Sequence, residues 1–193
     1  MQEQIAAGLL GSIKAKQDFA DSCSHEICRL IEVLVAAFGN GNKLLIFGNG
    51  GSAADAQHMA AEFVNRFLID RRPLPAIALT TDSSILTSIG NDFSFADIFI
   101  KQIQALGKAG DVALGISTSG NSPNVIKAIE QARLMGLTTA VLTGGSGGEL
   151  LAMADIGLNV PTFFTPHIQE SHIWAEHLIC QLVDETMFGN AVR

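Results

Sequence analysis

Apolar residues recur at helical spacing through the first 38 positions, at Ile5, Leu9, Ile13, Phe19, Ile27, Leu30, Ile31, Leu34 and Val35, until "GNGN" stops them. Two helices or one bent helix account for that stretch. Beyond it the pattern changes to short, nearly continuous apolar runs, "KLLIFG", "PAIALT", "DVALGIS", "TTAVLTG" and "IGLNVP", each separated from the next by residues of helical period. Strands covered on both faces read as unbroken apolar runs, and their alternation with helices is the mark of a parallel sheet. The pattern predicts an α/β fold with a doubly wound, flavodoxin-like sheet of five parallel strands, helices on both faces and an N-terminal helical segment. A last helix is expected over 168–188, with Ile168, Ala175, Leu178, Ile179, Leu182 and Val183 as its buried stripe.

The joints between strands and helices carry the polar chemistry. In such sheets ligands bind beyond the carboxyl ends of the strands, where loops turn into helix N-termini. Three joints are rich in Gly, Ser, Thr and Asn: "GNGGSAAD" at 48–55, "STSGNSPN" at 117–124 and "TGGSGGE" at 143–149. In the second, Ser122 before Pro123 reads as an N-cap with proline at the first helical position. Free backbone N–H groups and the hydroxyls of Ser117, Thr118, Ser119 and Ser122 would suit a phosphate monoester, or the run is an ordinary turn. The first joint is a weak match to the dinucleotide fingerprint, because the nearest acid after the second strand, Asp82, comes about thirty residues after Ala53, and no Walker lysine follows. Gly50 and Gly51 there would let the backbone approach a small ligand, with Asn49 and Ser52 supplying polar contacts.

Composition narrows the field. With 48% apolar and 16% charged residues, the chain is expected to be one compact domain over 1–193, with apolar surface to spare for contacts between subunits along residues 1–38. A net charge of −7 with scattered lysines and arginines argues against nucleic-acid binding. No apolar run reaches the roughly 18 residues of a membrane span, and no signal-peptide pattern opens the chain. Cys23, Cys28 and Cys180 have no metal-site spacing, so free thiols in the cytoplasm are expected.

Two constellations of histidine and carboxylate stand out. His58 and Glu62 lie four residues apart, on one face of the helix after the first joint. They could hold a metal, share a proton or form a structural pair. The stretch "HIQESHIWAEHL" packs three histidines, two glutamates and a glutamine into an otherwise apolar helix. Gln169 and His177 share one row, roughly 12 Å apart at 1.5 Å per residue. Either the helix start is loosened at Gln169 or His177 leans back toward it. His172 lies off that row and reads as structural or solvent-facing.

Taken together, "FGNGGSAADAQHMAAEF", "PLPAIALTTDSSILTSIGNDFSFADIF", "GISTSGNSPNV" and "IQESHIWAEHL" resemble the phosphoheptose isomerases, a branch of the sugar isomerase (SIS) domain superfamily. The resemblance spans nearly the whole chain. It implies an SIS-type fold and the conversion of sedoheptulose 7-phosphate into D-glycero-D-manno-heptose 7-phosphate, for the heptose of lipopolysaccharide and related glycans. It implies homotetramers with active sites between subunits and one zinc per subunit on His58, Glu62, Gln169 and His177. Glu62 and His177 suit the catalytic base and acid of an enediolate mechanism, or serve mainly as metal ligands, and the resemblance implies substrate contacts from Asn49, Gly50, Gly51, Ser52, Glu62, Asn91, Asp92, Ser117, Thr118, Ser119, Ser122 and Gln169. The chain departs from the pattern at Pro166 and His167, where relatives commonly carry an arginine or aspartate, so a charged substrate contact from that segment is not expected. A non-catalytic alternative, associating with the bacterial replication initiator or sensing sugar phosphates, occurs among other SIS proteins.

Overall fold

The computed structural model describes residues 1–189, and residues 190–193 of the expected domain lie outside the described residues. Five strands form one sheet: β1 (Leu44–Gly48), β2 (Ala76–Ala78), β3 (Val112–Ser117), β4 (Thr138–Gly144) and β5 (Ile156–Val160), in the order β2-β1-β3-β4-β5. Every pairing is parallel, with Ile46 opposite both Ala78 and Leu114. This is the flavodoxin-like order, and its reversal point lies between β1 and β3. The loops that leave those two strands are two of the three joints that the sequence singles out.

Among the described residues seven α-helices cover the sheet: α1 (Gln2–Gly39), α2 (Gly51–Val64), α3 (Ser83–Asp92), α4 (Ile100–Leu106), α5 (Pro123–Leu134), α6 (Gly148–Met153) and α7 (Thr165–Phe188). Alternate residues of the buried strands feed two separate cores. Leu44, Ile46, Leu114, Ile116, Leu142 and Leu158 meet α1, α2 and α7 on one face, while Leu45, Phe47, Ala113 and Val141 meet α4, α5 and α6 on the other. α1 and α2 therefore share a face with α7, which puts His58 and His177 on neighbouring helices.

The N-terminal stretch is one continuous helix, not two, because it contains no proline and hydrogen bonding runs on through Gly8 and Gly11. Gly11 sits where α1 crosses the start of α7, and a Cβ there would overlap the His167 ring. Ahead of that crossing, α1 runs free of the core. Ile5, Leu9 and Leu10 are 71%, 62% and 65% exposed.

α7 begins at Thr165, three residues earlier than expected, with Pro166 in its first turn. Its buried stripe also differs from expectation. Ile168, Ala175, Ile179 and Val183 are buried as foreseen, whereas Leu178 and Leu182 are only partly buried, and the polar residues Ser171, His172, Glu176 and Asp184 take the inner positions. An apolar-only stripe could not reveal that polar half, since His172 and Asp184 are paired with Thr143 and Arg71 elsewhere in the chain.

Candidate functional site

The loop after β1 sets the first wall. Gly50 caps α2 with φ 55°, a conformation that L side chains seldom adopt. Gly51 starts the helix, and a Cβ there would overlap the carboxamide of Gln169. Close approach of α7 to the glycine loop is thus built into the sequence. Asn49 exchanges two hydrogen bonds with Asn124 at the start of α5, its Nδ2 donating at 2.9 Å and its Oδ1 accepting at 2.8 Å. That pair ties the β1 loop to the β3 loop across the reversal point. Ser52 is buried at the start of α2, with its Cβ against Gly48.

The loop after β3 gathers hydroxyls. Ser117 Oγ lies 2.9 Å from Ser122 Oγ and 3.5 Å from Ser119 Oγ. Ser122 occupies the N-cap position before Pro123, as the sequence predicts, but its side chain turns to Ser117 and makes no cap bond. Thr118 and Ser119 line a cleft of about 300 Å³ together with Gly144, Ser146, Thr165 and Ile168, so the third glycine-rich joint closes its far side. The two loops are braced against each other. Gly120 has φ +67° and a Cβ on it would run into the Gly147 carbonyl, while Leu150 N donates to Gly120 O and Glu149 N to Asn121 Oδ1, each at 3.0 Å.

Farther along α7 the histidines and carboxylate meet. His58 Nε2 stands 2.8 Å from His177 Nε2 and 3.6 Å from Glu62 Oε1. With neutral rings, one of those nitrogens donates its hydrogen to the other. Asp55 lies one turn before His58, and burial holds its carboxyl above the usual range while the nearby His58 pulls it down. On α7, Glu176 is wholly buried, without a hydrogen-bond partner for either oxygen, and burial together with Asp55 raises it well above the ordinary glutamate value. The site is therefore half-exposed above and carboxyl-rich below.

Not every expected residue joins this cluster. Gln169 is helical, so the helix start is not loosened there, and its carboxamide rests on Gly51, seven residues before His58 on α2. Asn91 and Asp92 end α3, exposed, with Asn91 Nδ2 donating to Asp92 Oδ1 at 2.8 Å. His167 points to α1 instead of the cleft and pairs with Glu170 Oε2 at 3.2 Å. His172 is structural and not solvent-facing: it is fully buried and its Nε2–H donates to the Thr143 carbonyl at 2.9 Å. Residues that sequence reasoning passed over include Asn124, Arg71 and Phe67, which carry no recognisable spacing because their partners lie elsewhere in the chain.

Among the described residues no three His, Cys, Asp or Glu side chains close fully around one point as they stand. His58, Glu62 and His177 come close, each joined to the set through His58 Nε2. Two imidazoles and one carboxylate form the donor set of a catalytic zinc site that keeps an open position. The chemistry of these residues fits the metal.

A parallel five-stranded sheet with serine-rich loops at its reversal point and a histidine–carboxylate cluster beside them defines a phosphosugar-binding α/β protein of the sugar-isomerase class, and the SIS domain family matches residues 12–144. Among curated proteins, a phosphoheptose isomerase from Nitratidesulfovibrio vulgaris (strain Miyazaki F) is 51% identical over 93% of this chain and 86% of its own. Two solved phosphoheptose isomerases superpose closely. That of Neisseria gonorrhoeae has a TM-score of 0.91 at 46% identity, and that of Francisella tularensis 0.92 at 40%, each covering 95% of this chain and 98% of its own. The chain belongs to the phosphoheptose isomerase family.

Proposed function

We propose that the chain is an aldose–ketose isomerase that converts sedoheptulose 7-phosphate into D-glycero-D-manno-heptose 7-phosphate, supplying heptose for bacterial surface glycans. The observation that carries this reading is the meeting of His58 and Glu62 on α2 with His177 on α7, the helix that also lines the serine-rich cleft. From Ile168, at the cleft, to His177 is roughly 13 Å along α7 at 1.5 Å per residue, which leaves room for a sugar between its phosphate and the acting groups. A non-catalytic binding protein would have no use for that cluster. Incubation of the purified protein with sedoheptulose 7-phosphate should give the aldose, and absence of product with and without added zinc would overturn the reading.

Isomerisation moves a proton between C1 and C2 through an enediolate, which calls for a base, an acid at the oxygens and stabilisation of negative charge. Glu62, half-open to the site on α2, takes the proton from carbon, and His177 serves the oxygens. His58 holds His177 by the contact between their ring nitrogens. His58, Glu62, Gln169 and His177 would hold one zinc per subunit, and bound there it would polarise the carbonyl as a Lewis acid. Gln169 would have to leave Gly51 to take part. Asn49 to Ser52, Asn91, Asp92, Ser117 to Ser119, Ser122 and Gln169 are the proposed substrate contacts, of which Asn91 and Asp92 fit a site completed by another subunit.

The hydroxyl cluster provides a direct test of phosphate placement. Ser119→Ala and Ser122→Ala should each weaken sugar phosphate binding by about 1–3 kcal/mol, the usual worth of a bond to a charged group. Because Ser122 makes no cap bond, thermal stability should hardly change. Titration calorimetry showing unaltered affinity in both variants would put the phosphate elsewhere.

Assembly into a homotetramer is supported by the free end of α1, where Ile5 and Leu9 lie one turn apart and exposed. Light scattering at micromolar concentration should give four times the chain mass, and Leu9→Asp should lower it. A monomeric wild type would contradict the proposal. Cytoplasmic residence is supported by three free cysteines, and no helix among the described residues is long and apolar enough to cross a membrane.

A further inference from the structure

Residues 66–75, between α2 and β2, have no regular secondary structure, yet they are firmly tied to the helix they follow. Leu74 N donates to Phe63 O at 3.0 Å. The Arg71 side chain, only 2% exposed, donates from Nη1 to Phe63 O at 2.8 Å and from Nη2 to Glu62 O at 2.9 Å, with longer bonds to Asn65 O and Arg72 O. Its Nε donates to Asp184 Oδ1 on α7 at 2.9 Å. The last carbonyls of a helix lack intrahelical partners and carry its negative end, so a planar five-donor cation satisfies several of them at once, which a lysine cannot do. One side chain thereby fastens the turn of α2 that bears Glu62 to the helix that bears His177.

Between those anchors the chain lays Phe67 on the His177 imidazole. The ring centroids are 5.5 Å apart and the planes differ by 16°. His58 meets the same imidazole edge-on, at 5.0 Å and 69°. A ring stacked on one face and met at its edge loses a contact whichever way it turns.

We propose that Phe67, backed by the Arg71–Asp184 pair, is a positioning device for the isomerase centre: Phe67 sets the plane of the His177 imidazole, and Arg71 sets Glu62 against α7. The inference rests on the reading of His177 and Glu62 as the acting groups. Phe67 and Arg71 act through them, since misplacing a reacting group by about 1 Å costs on the order of a hundredfold in rate.

The test combines steady-state kinetics on sedoheptulose 7-phosphate with nitrogen–proton spectra of the histidine rings. Phe67→Ala should lower kcat about tenfold to a hundredfold, leave KM within about twofold and shift the His177 resonances, because the ring above them is gone. Phe67→Tyr should restore both. Arg71→Lys, which keeps the charge and loses the fork, should lower kcat by about tenfold, and an unchanged kcat would remove Arg71 from the device. Should Phe67→Ala fail to fold, Phe67→Leu takes its place with the same expectations. Unmoved His177 resonances with wild-type kcat would overturn the proposal, as would a loss that tyrosine does not repair. If the wild type leaves sedoheptulose 7-phosphate unchanged, the activity reading falls, and the ring spectra still decide whether Phe67 holds His177.

Discussion

Alanine at His177 is expected to lower turnover of sedoheptulose 7-phosphate by about a hundredfold to ten-thousandfold, the range lost with a general acid or base, while the chain stays folded. His58→Ala should fall in the same range, since it removes the partner held 2.8 Å from His177. Neither ring belongs to the core. The His58 side chain is 41% exposed, and Ala56, Met59 and Phe63 bury α2 without it. Circular dichroism should therefore match the wild type, and elemental analysis should find less of the proposed zinc in both variants than in the wild type. His25, on the outer side of α1 with 89% of its side chain exposed, is the control, whereas His172 is too deeply buried for that purpose. Wild-type turnover in His177→Ala would remove the cluster from the mechanism.

His172 carries the largest expected effect on stability. Burial lowers its pKa from 6.5 to about 4, against the smaller opposing pull of the Thr143 carbonyl. The unfolded chain therefore binds a proton between those values that the native chain refuses, and stability contributed by this residue is lost as pH falls through that window. The shift corresponds to about 3 kcal/mol. Glu176, raised well above its ordinary value, works in the opposite sense above about pH 4.5, so the wild-type curve alone would mask the histidine. The measurement is a difference. His172→Gln retains a donor for Thr143 without a titrating ring, and urea melts should show the wild type gaining on it by about 3 kcal/mol from pH 4 to 6.5. A gap that does not change with pH would mean that the ring titrates in the fold as it does in the unfolded chain, and that burial does not lower its pKa.

The sheet was legible because each of its strands is a short apolar run between turn residues, and a parallel sheet buried on both faces leaves no other pattern. The serine loop was legible for a similar reason, since its residues are consecutive. α7 was legible only in part. Ile168, Ala175, Ile179 and Val183 keep helical period, but His172, Glu176 and Asp184 share the inner face with them, and the groups they meet there, Thr143, Asp55 and Arg71, belong to other parts of the chain. Spacing within one helix holds no record of such partners. The same limit applies to Gln169, whose position against Gly51 depends on how closely two helices approach.

Gly120 gives the serine-rich cleft a further property. With no side chain to hold them apart, the loops after β3 and β4 touch backbone to backbone and share hydrogen bonds through Leu150 and Glu149. Their shape is therefore settled when the chain folds, before any ligand arrives. A loop that must be ordered by its ligand subtracts that entropy from the affinity, and this one has little left to lose. The attraction of a phosphate held by these hydroxyls, as proposed, would then be free to fix where the far end of the sugar lies, one helix face away, at His177.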